Sequence, residues 1–420
     1  MVLARVNIRR FIGGTATRWT AMRLSADVLS RLLQLLVLIA LARRLDESTF
    51  GTLMVGATAG LIAAQLADAG LSLVVGADVA RRISAGPAAL GSALGIKVIL
   101  SFLSIVGLLL IYPVLGSTPA AAGAALIAAA LSLDTFVQFS AVQLRAVSAF
   151  RLDWVTALVP RALTVAVVVP TILVAPEPTI IGAVWLAASG VGAAIAVMIL
   201  RSRVAPGPAS TRMARQLLAR AWPIGASIVV SMLYTRVAVF LLQGLRSSED
   251  VAQYALALRF LEPMYLVPAA MSAVFYPAYV RALADSPAGA NRLLGRWTSA
   301  VAGLGLVAYV GLAVLGVPLA VLFFGPAFQP SGELLRVLGL VLIPGFTSFL
   351  LNQALIASGH ARYNLRVMVL LLVFSLAANT WAITAIGAWG AAGVAVVVEV
   401  LLLAALGYRL VHQHAEPAYA

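Results

Sequence analysis

The sequence predicts an all-α polytopic membrane protein: twelve transmembrane helices in two pseudo-symmetric six-helix bundles around a central cavity. Three observations carry that class. Of 420 residues, 62% are hydrophobic and only 10% charged, with a mean hydropathy of +1.03, whereas a soluble domain has about 25% charged residues. Apolar runs of spanning length recur along the whole chain, separated by clusters of charge, Pro and Gly. The basic residues, finally, are distributed with a strong bias between alternate connections.

A hydrocarbon core of about 30 Å takes roughly 20 helical residues to cross. Dividing the chain on that basis predicts helices over 20–42, 50–75, 88–112, 119–142, 152–173, 179–200, 221–243, 252–278, 297–324, 334–357, 365–386 and 388–409. The last two are separated only at Gly387 and Gly390. Helix eight contains Pro263, Pro268 and Pro277 and is expected to be kinked. Trp19, Trp154, Trp222, Tyr112 and Tyr276 fall near span ends, where interfacial anchoring accounts for them. The first helix is preceded by Arg5, Arg9, Arg10 and Arg18 and is long enough to span, which is not the pattern of a cleavable signal peptide.

Counting basic residues sets the orientation. With both termini in the cytoplasm, nineteen of the 29 basic residues fall in cytoplasmic segments and only Arg43, Arg44 and Arg246 in outer ones. Those three neighbour Asp46, Glu47, Glu249 and Asp250. The expected location is therefore the cytoplasmic (inner) membrane, and the net charge of +14 serves topology rather than a nucleic-acid partner. Outer loops are too short for an extracytoplasmic catalytic domain.

The longest internal break, RSRVAPGPASTRMARQLLA over 201–219, is basic and Pro-rich. It divides the chain into an N-terminal half (1–206), a cytoplasmic linker (207–220) and a C-terminal half (221–420). A faint echo links the halves: Arg31 precedes Phe50 by nineteen residues and Arg236 precedes Tyr254 by eighteen. Paired six-helix halves around a cleft are a recurrent transporter plan.

The run LARRLDESTFGTLMVGATAGLIAAQLADAGL (41–71) resembles the first outer loop and second helix of polysaccharide flippases: a short polar turn before Phe-Gly, and an Asp-x-Gly-Leu closing the helix. QLRAVSAFR (143–151), DVAQYALALRFLE (250–262) and FFGPAFQPSGELLRVLGL (323–340) are similar to further landmarks of that family, in the same order. The resemblance is to Wzx-type lipid-linked oligosaccharide flippases of the multidrug/oligosaccharidyl-lipid/polysaccharide exporter superfamily. It implies alternating access, a polyprenyl-diphosphate oligosaccharide as substrate, a coupling proton or sodium ion, and polysaccharide assembly proteins as partners.

Seven basic residues remain within or at the edge of spans: Arg23, Arg31, Lys97, Arg161, Arg236, Arg259 and Arg336; their acidic companions are Asp27, Asp68, Asp134, Glu262 and Glu399. A charge at a helix centre costs at least about 2.5 kcal/mol, so each should face a partner or a wet cavity. Arg23, Asp27 and Arg31 share a helix face at i, i+4, i+8. Arg31 is either one wall of a diphosphate site or part of a structural ladder with Arg23 snorkelling. Arg236 and Arg259 reach similar depths on adjacent helices, and their planar forks suit a diphosphate; the alternative is a structural bridge from Glu262 to Arg259. Lys97, the only lysine, either contributes to the substrate site or snorkels, and Arg161 stands between the same readings. Asp134, one turn from Gln138, and Glu399 are candidate carriers of a coupling ion, or else interhelical hydrogen-bonding groups.

No phosphate-cradling glycine pattern precedes Lys97. The absence of cysteine excludes disulfides and thiolate sites, and His360, His412 and His414 lack metal-ligand spacing. No cofactor, metal or enzymatic activity is expected. Two other functions fit the architecture: a cation-coupled multidrug exporter of the same fold, and a membrane polysaccharide polymerase. The first would favour acidic and aromatic cavity residues, and the second a larger extramembrane loop.

Overall fold

The computed structural model describes residues 15–81, 86–111 and 118–412. Arg5, Arg9, Arg10, Arg82, Tyr112 and His414, singled out in the sequence, lie outside the described residues. The described chain is all helical, and twelve helical spans are long and apolar enough to cross a membrane. In chain order the helices are α1 Thr15–Arg44, α2 Glu47–Asp68, α3 Leu71–Ala80, α4 Gly86–Ile111, α5 Pro119–Ser132, α6 Asp134–Ala146, α7 Phe150–Val174 and α8 Pro178–Arg201. They continue as α9 Thr211–Leu245, α10 Ser248–Leu261, α11 Leu266–Asp285, α12 Pro287–Phe324, α13 Gln329–Leu338, α14 Leu342–Ala357, α15 Ala361–Ile386 and α16 Ala388–His412.

Four spans are broken where the sequence suggests continuous helices or a simple kink, the tenth of them by a 3₁₀ turn at Gly339–Val341 between α13 and α14. After Asp68 the backbone turns left-handed at Ala69 (φ 46°) and Gly70 (φ 79°), so the predicted second helix ends early and α3 starts in a new direction. The predicted fourth helix is interrupted at Leu133, between α5 and α6. In the eighth span, Glu262–Tyr265 forms a 3₁₀ turn between α10 and α11; Pro263 has no amide hydrogen for the helical ladder. Helix α9 starts at Thr211, so much of the expected linker is helical. Arg212, Arg215 and Arg220 suggested a boundary because charges mark membrane edges, but a helix can continue beyond the hydrocarbon.

The chain divides into two compact units: residues 1–44 with 56–228, and 45–55 with 229–420. In the first, α8 packs on α5, α6 and α7, and α1 lies against α7. Small residues allow close approach: a Cβ on Gly56 would lie 2.2 Å from the Ala124 carbonyl oxygen, and one on Gly60 2.5 Å from that of Ala128. This i, i+4 glycine pair on α2 faces an i, i+4 alanine pair on α5, a close-packed arrangement familiar between membrane helices. The segment before α9 is tied down by the Gly207 amide donating to the Pro87 carbonyl and the Ser210 amide to Ser92 Oγ. Arg220 forms a two-pronged bridge to Asp78, 2.9 Å on each arm.

In the second unit, α12, α13, α14 and α16 enclose a core that includes Leu335, Leu342, Phe346 and Leu402. Arg246 caps the end of α15 by donating to the carbonyls of Ile383 and Thr384. At the start of α2, the Thr49 amide donates to Asp46 Oδ2 at 2.9 Å and holds that carboxyl below its usual range. Three of the stretches that carry the family resemblance meet here. Phe50 is fully buried and edge-on to Phe328, ring centroids 5.2 Å apart. Gly51 is required because a Cβ would stand 1.8 Å from the Ser248 carbonyl oxygen. Gln253 joins the three stretches: its Nε2 donates to Glu47 Oε2 (2.6 Å) and the Ala327 carbonyl (2.9 Å), and its Oε1 accepts from the amide (3.0 Å) and hydroxyl (2.5 Å) of Ser331.

Replacing Gln253 with Met keeps the volume but leaves the buried amide and hydroxyl of Ser331 without partners. Each such loss costs about 1–3 kcal/mol. We expect Gln253→Met to lower stability by at least about 2 kcal/mol, measured by thermal unfolding of the purified full-length protein in detergent. An unchanged melting temperature would remove Gln253 from this central role.

Candidate functional site

The membrane-embedded charges fall into separate groups within the two units. In the first unit, Lys97 of α4 is fully buried at 0% exposure and does not snorkel. Its Nζ donates to Asp68 Oδ1 and to Thr135 Oγ1, both at 2.6 Å, and stands 5.1 Å from the Phe139 ring centroid. Asp68 ends α2 and accepts from the amide and hydroxyl of Ser72. Gln143 Nε2 donates to the Ser72 carbonyl at 3.2 Å. One lysine thus ties together α2, α3, α4 and α6.

Arg161 of α7 bonds Asp134 at 2.7 Å, so the carboxylate at the start of α6 answers an arginine rather than Gln138, whose side chain is exposed. Towards the start of α1, Arg23 pairs with Asp27 at 2.7 Å. Arg23 and Arg145 also converge on the buried Asp153, at 3.3 and 3.1 Å. Asp27 therefore neutralises Arg23 and not Arg31. Arg31 lies half-buried within the first span, and among the described residues it has no hydrogen-bond or ion-pair partner.

In the second unit Arg236 and Arg259 do meet, and the meeting point is Glu262. Arg236 Nη2 donates to Oε1, while Arg259 Nη1 donates to Oε2 at 3.0 Å and to Oε1 at 3.3 Å. Both readings of the sequence coexist: Glu262 is a structural bridge, and the group retains one positive charge. Glu399 is buried on α16, flanked by Tyr234, Tyr265 and Ser348. No ion pair reaches it among the described residues. Gly345 makes room there, since a Cβ would stand 2.2 Å from the Tyr265 hydroxyl and 3.5 Å from Glu399 Oε1. Arg336 is exposed near the end of α13, beside no carboxylate partner among the described residues. No group of three or more His, Asp or Glu with metal-binding geometry occurs among the described residues.

The partners least visible in sequence are Asp153 and the two tyrosines. Asp153 lies at a predicted span boundary and reads as a surface charge, whereas it is 2% exposed. Tyr234 and Tyr265 lie in apolar stretches, and only the fold brings them to Glu399.

Removing one partner of a buried ion pair strands the other, at about 3–5 kcal/mol. Lys97→Met and Asp68→Asn should each destabilise the protein by about that amount. The double variant should lose clearly less than the sum. Thermal unfolding of all four proteins measures this, and strict additivity would mean that the two side chains do not act as a pair.

None of the curated proteins compared matches the chain. The fold is similar to an inward-facing multidrug resistance MATE family transporter of the MOP superfamily, with a TM-score of 0.73 and 16% identity over 95% of this chain and 99% of that one. It is also similar to the lipid II flippase MurJ in an inward closed conformation, with a TM-score of 0.71 and 15% identity over 91% and 86%. A MOP superfamily transporter from Pyrococcus furiosus, described as having a binding pocket of reverse polarity, matches with a TM-score of 0.65 and 15% identity over 94% of both chains. Residues 17–283, more than half of the chain, match the family of polysaccharide biosynthesis proteins. The chain therefore belongs to the polysaccharide biosynthesis protein family, on a fold shared with MOP superfamily transporters.

Proposed function

We propose that this protein flips a polyprenyl-diphosphate-linked oligosaccharide across the cytoplasmic membrane by alternating access, with both termini and the arginine-rich loops in the cytoplasm. The observation that carries the reading is Arg31: a half-buried cation inside a membrane span whose nearest helical carboxylate, Asp27, is taken by Arg23. An isolated charge at that depth calls for a counterion, and an anionic ligand would supply it. In the second unit Arg236 and Arg259 share one carboxylate and keep a surplus positive charge. Guanidinium forks match phosphate oxygens in pairs. Family membership and the resemblance in fold to a lipid II flippase support a lipid-linked substrate.

Arg161 and Lys97 belong to the same proposal in a secondary role, because each is neutralised by its own carboxylate. They would bind the ligand only by exchanging Asp134 or Asp68 for phosphate. Glu399, buried without an ion-pair partner among the described residues, is the better placed of the two proposed carriers for a coupling proton or sodium ion; Asp134 would first have to release Arg161. The polysaccharide assembly machinery is the proposed recipient of the flipped lipid. A MATE-like fold also accommodates a drug exporter, but among the described residues Arg31 and the surplus of Arg236 and Arg259 over Glu262 outnumber the one unpaired carboxylate in the spans, Glu399, which disfavours organic cations.

Arg31→Gln and Arg236→Gln should each reduce surface polysaccharide by at least about tenfold, in line with the loss of a charge-assisted contact, while the protein persists in the membrane. Quantified surface glycan and immunodetection in membranes measure this. Wild-type glycan in both variants would overturn the proposed site, and drug efflux without any glycan defect would favour the exporter. In proteoliposomes, Glu399→Gln should abolish the response of flipping to an imposed proton or sodium gradient while substrate binding stays intact. An undiminished response would remove Glu399 from coupling.

A further inference from the structure

Two of the arginines outside the spans, Arg151 and Arg203, line a cleft within the first unit. The turn between α6 and α7 and the end of α8 enclose about 420 Å³, lined by Val147, Ser148, Phe150, Arg151, Leu152 and Arg203 among others. The turn is held in a defined shape. The Ala149 amide donates to the Leu144 carbonyl and the Ser148 amide to that of Arg145, with Ser148 left-handed at φ 59°. This closure leaves Val147 and Ser148 exposed at the cleft.

Arg151 and Arg203 are both exposed, and their side chains have no ion-pair or hydrogen-bond partner among the described residues. The acid nearest in sequence, Asp153, is buried and already occupied by Arg23 and Arg145. Two unpaired guanidinium groups therefore share a cleft whose remaining lining is largely aliphatic and aromatic. Its depth is that of a membrane interface: it lies at the ends of three spans, and Trp154, one helical turn into α7, donates from its indole to Ser25 Oγ.

We infer that this cleft holds the phosphate of an anionic phospholipid from the leaflet on the arginine-rich face. Guanidinium forks meet the phosphate oxygens, and Val147, Phe150 and Leu152 provide an apolar wall for the glycerol and the first acyl carbons. A zwitterionic headgroup brings its own cation and gains less from two arginines. Free phosphate lacks the apolar part. Because the cleft sits at span ends rather than along their membrane-crossing length, a lipid held here stays in its leaflet and is not the transported molecule.

The test measures binding rather than transport, so its outcome is independent of the flippase reading. Purified full-length protein is titrated with phosphatidylglycerol or with phosphatidylcholine of the same acyl chains, and bound lipid is counted by native mass spectrometry. We expect wild type to prefer phosphatidylglycerol by on the order of tenfold. Arg151→Gln with Arg203→Gln should abolish the preference. Changing both arginines to lysine should keep most of it, as should Arg212→Gln with Arg215→Gln, which removes equal charge from the same face outside the cleft. Melting temperatures monitor folding, and Arg203→Gln alone, at an exposed helix end, should halve the preference or more if the double variant does not fold. The inference is overturned if the folded glutamine variants keep the wild-type preference, or if the Arg212 and Arg215 changes lose as much. It is equally overturned if farnesyl diphosphate, and not phosphatidylglycerol, is the lipid whose binding depends on Arg151 and Arg203.

Discussion

An ionised side chain in hydrocarbon must find a counterion, and that requirement organises this protein more than any apolar contact does. The hydrophobic effect alone cannot specify which helices meet in a membrane, since lipid tails are as apolar as leucine. Buried pairs can. Lys97 with Asp68, Arg161 with Asp134, Arg23 and Arg145 with Asp153, and Arg236 and Arg259 with Glu262 each connect different helices or different parts of one span. Replacing any of these pairs with apolar residues would remove a bond that fixes register. Leaving one member alone would be worse than removing both.

The carboxylates of three of these pairs sit at breaks in the helices. Asp68 is the last residue of α2 before the left-handed turn at Ala69 and Gly70, Asp134 is the first residue of α6, and Glu262 opens the 3₁₀ turn between α10 and α11. The physical reason is shared. A helix start presents amide hydrogens that favour a negative charge, and a break within a span is tolerated only where neighbouring groups satisfy the freed backbone. Asp68 illustrates both, since it accepts the Ser72 amide at the start of α3 while holding Lys97. Backbone irregularity and buried charge thus support one another at Asp68, Asp134 and Glu262.

This explains what could be read from the residues and what could not. The twelve spans were legible because span length and hydropathy are properties of consecutive residues. The candidate charges were legible for the same reason, as exceptions within apolar runs. Their partners were not. Whether Asp27 answers Arg23 or Arg31 depends on rotamers that i, i+4 spacing leaves equivalent, and Asp68 reaches Lys97 only because the chain turns at Gly70. Breaks at Leu133 and at Ala69 and Gly70 were hidden because an interruption of one or two residues barely alters an apolar window. The resemblance stretches were recognisable before their purpose was: Gly51 and Gln253 belong to recurring motifs, yet only the contacts of Gln253 with Glu47, Ala327 and Ser331 show that they hold one end of the second unit together.

Once the pairs are set aside, the positive excess in the spans is no longer diffuse. In the first unit it reduces to Arg31, and in the second to the surplus of Arg236 and Arg259 over Glu262, with Arg336 exposed at a helix end. These are two different ways of keeping a cation in a membrane. Among the described residues Arg31 has no counterion, so an arriving anion gains its full attraction but the empty state bears the cost of the isolated charge. The Glu262 group is cheaper to maintain because one carboxylate stabilises both arginines, and it offers an anion the net charge of only one. A ligand that completes these unfinished pairs derives its affinity from charges already desolvated by the fold. That favours a compact anion with several oxygens over a neutral sugar, and for the proposed lipid-linked glycan it puts recognition at the phosphate end rather than at the variable saccharide.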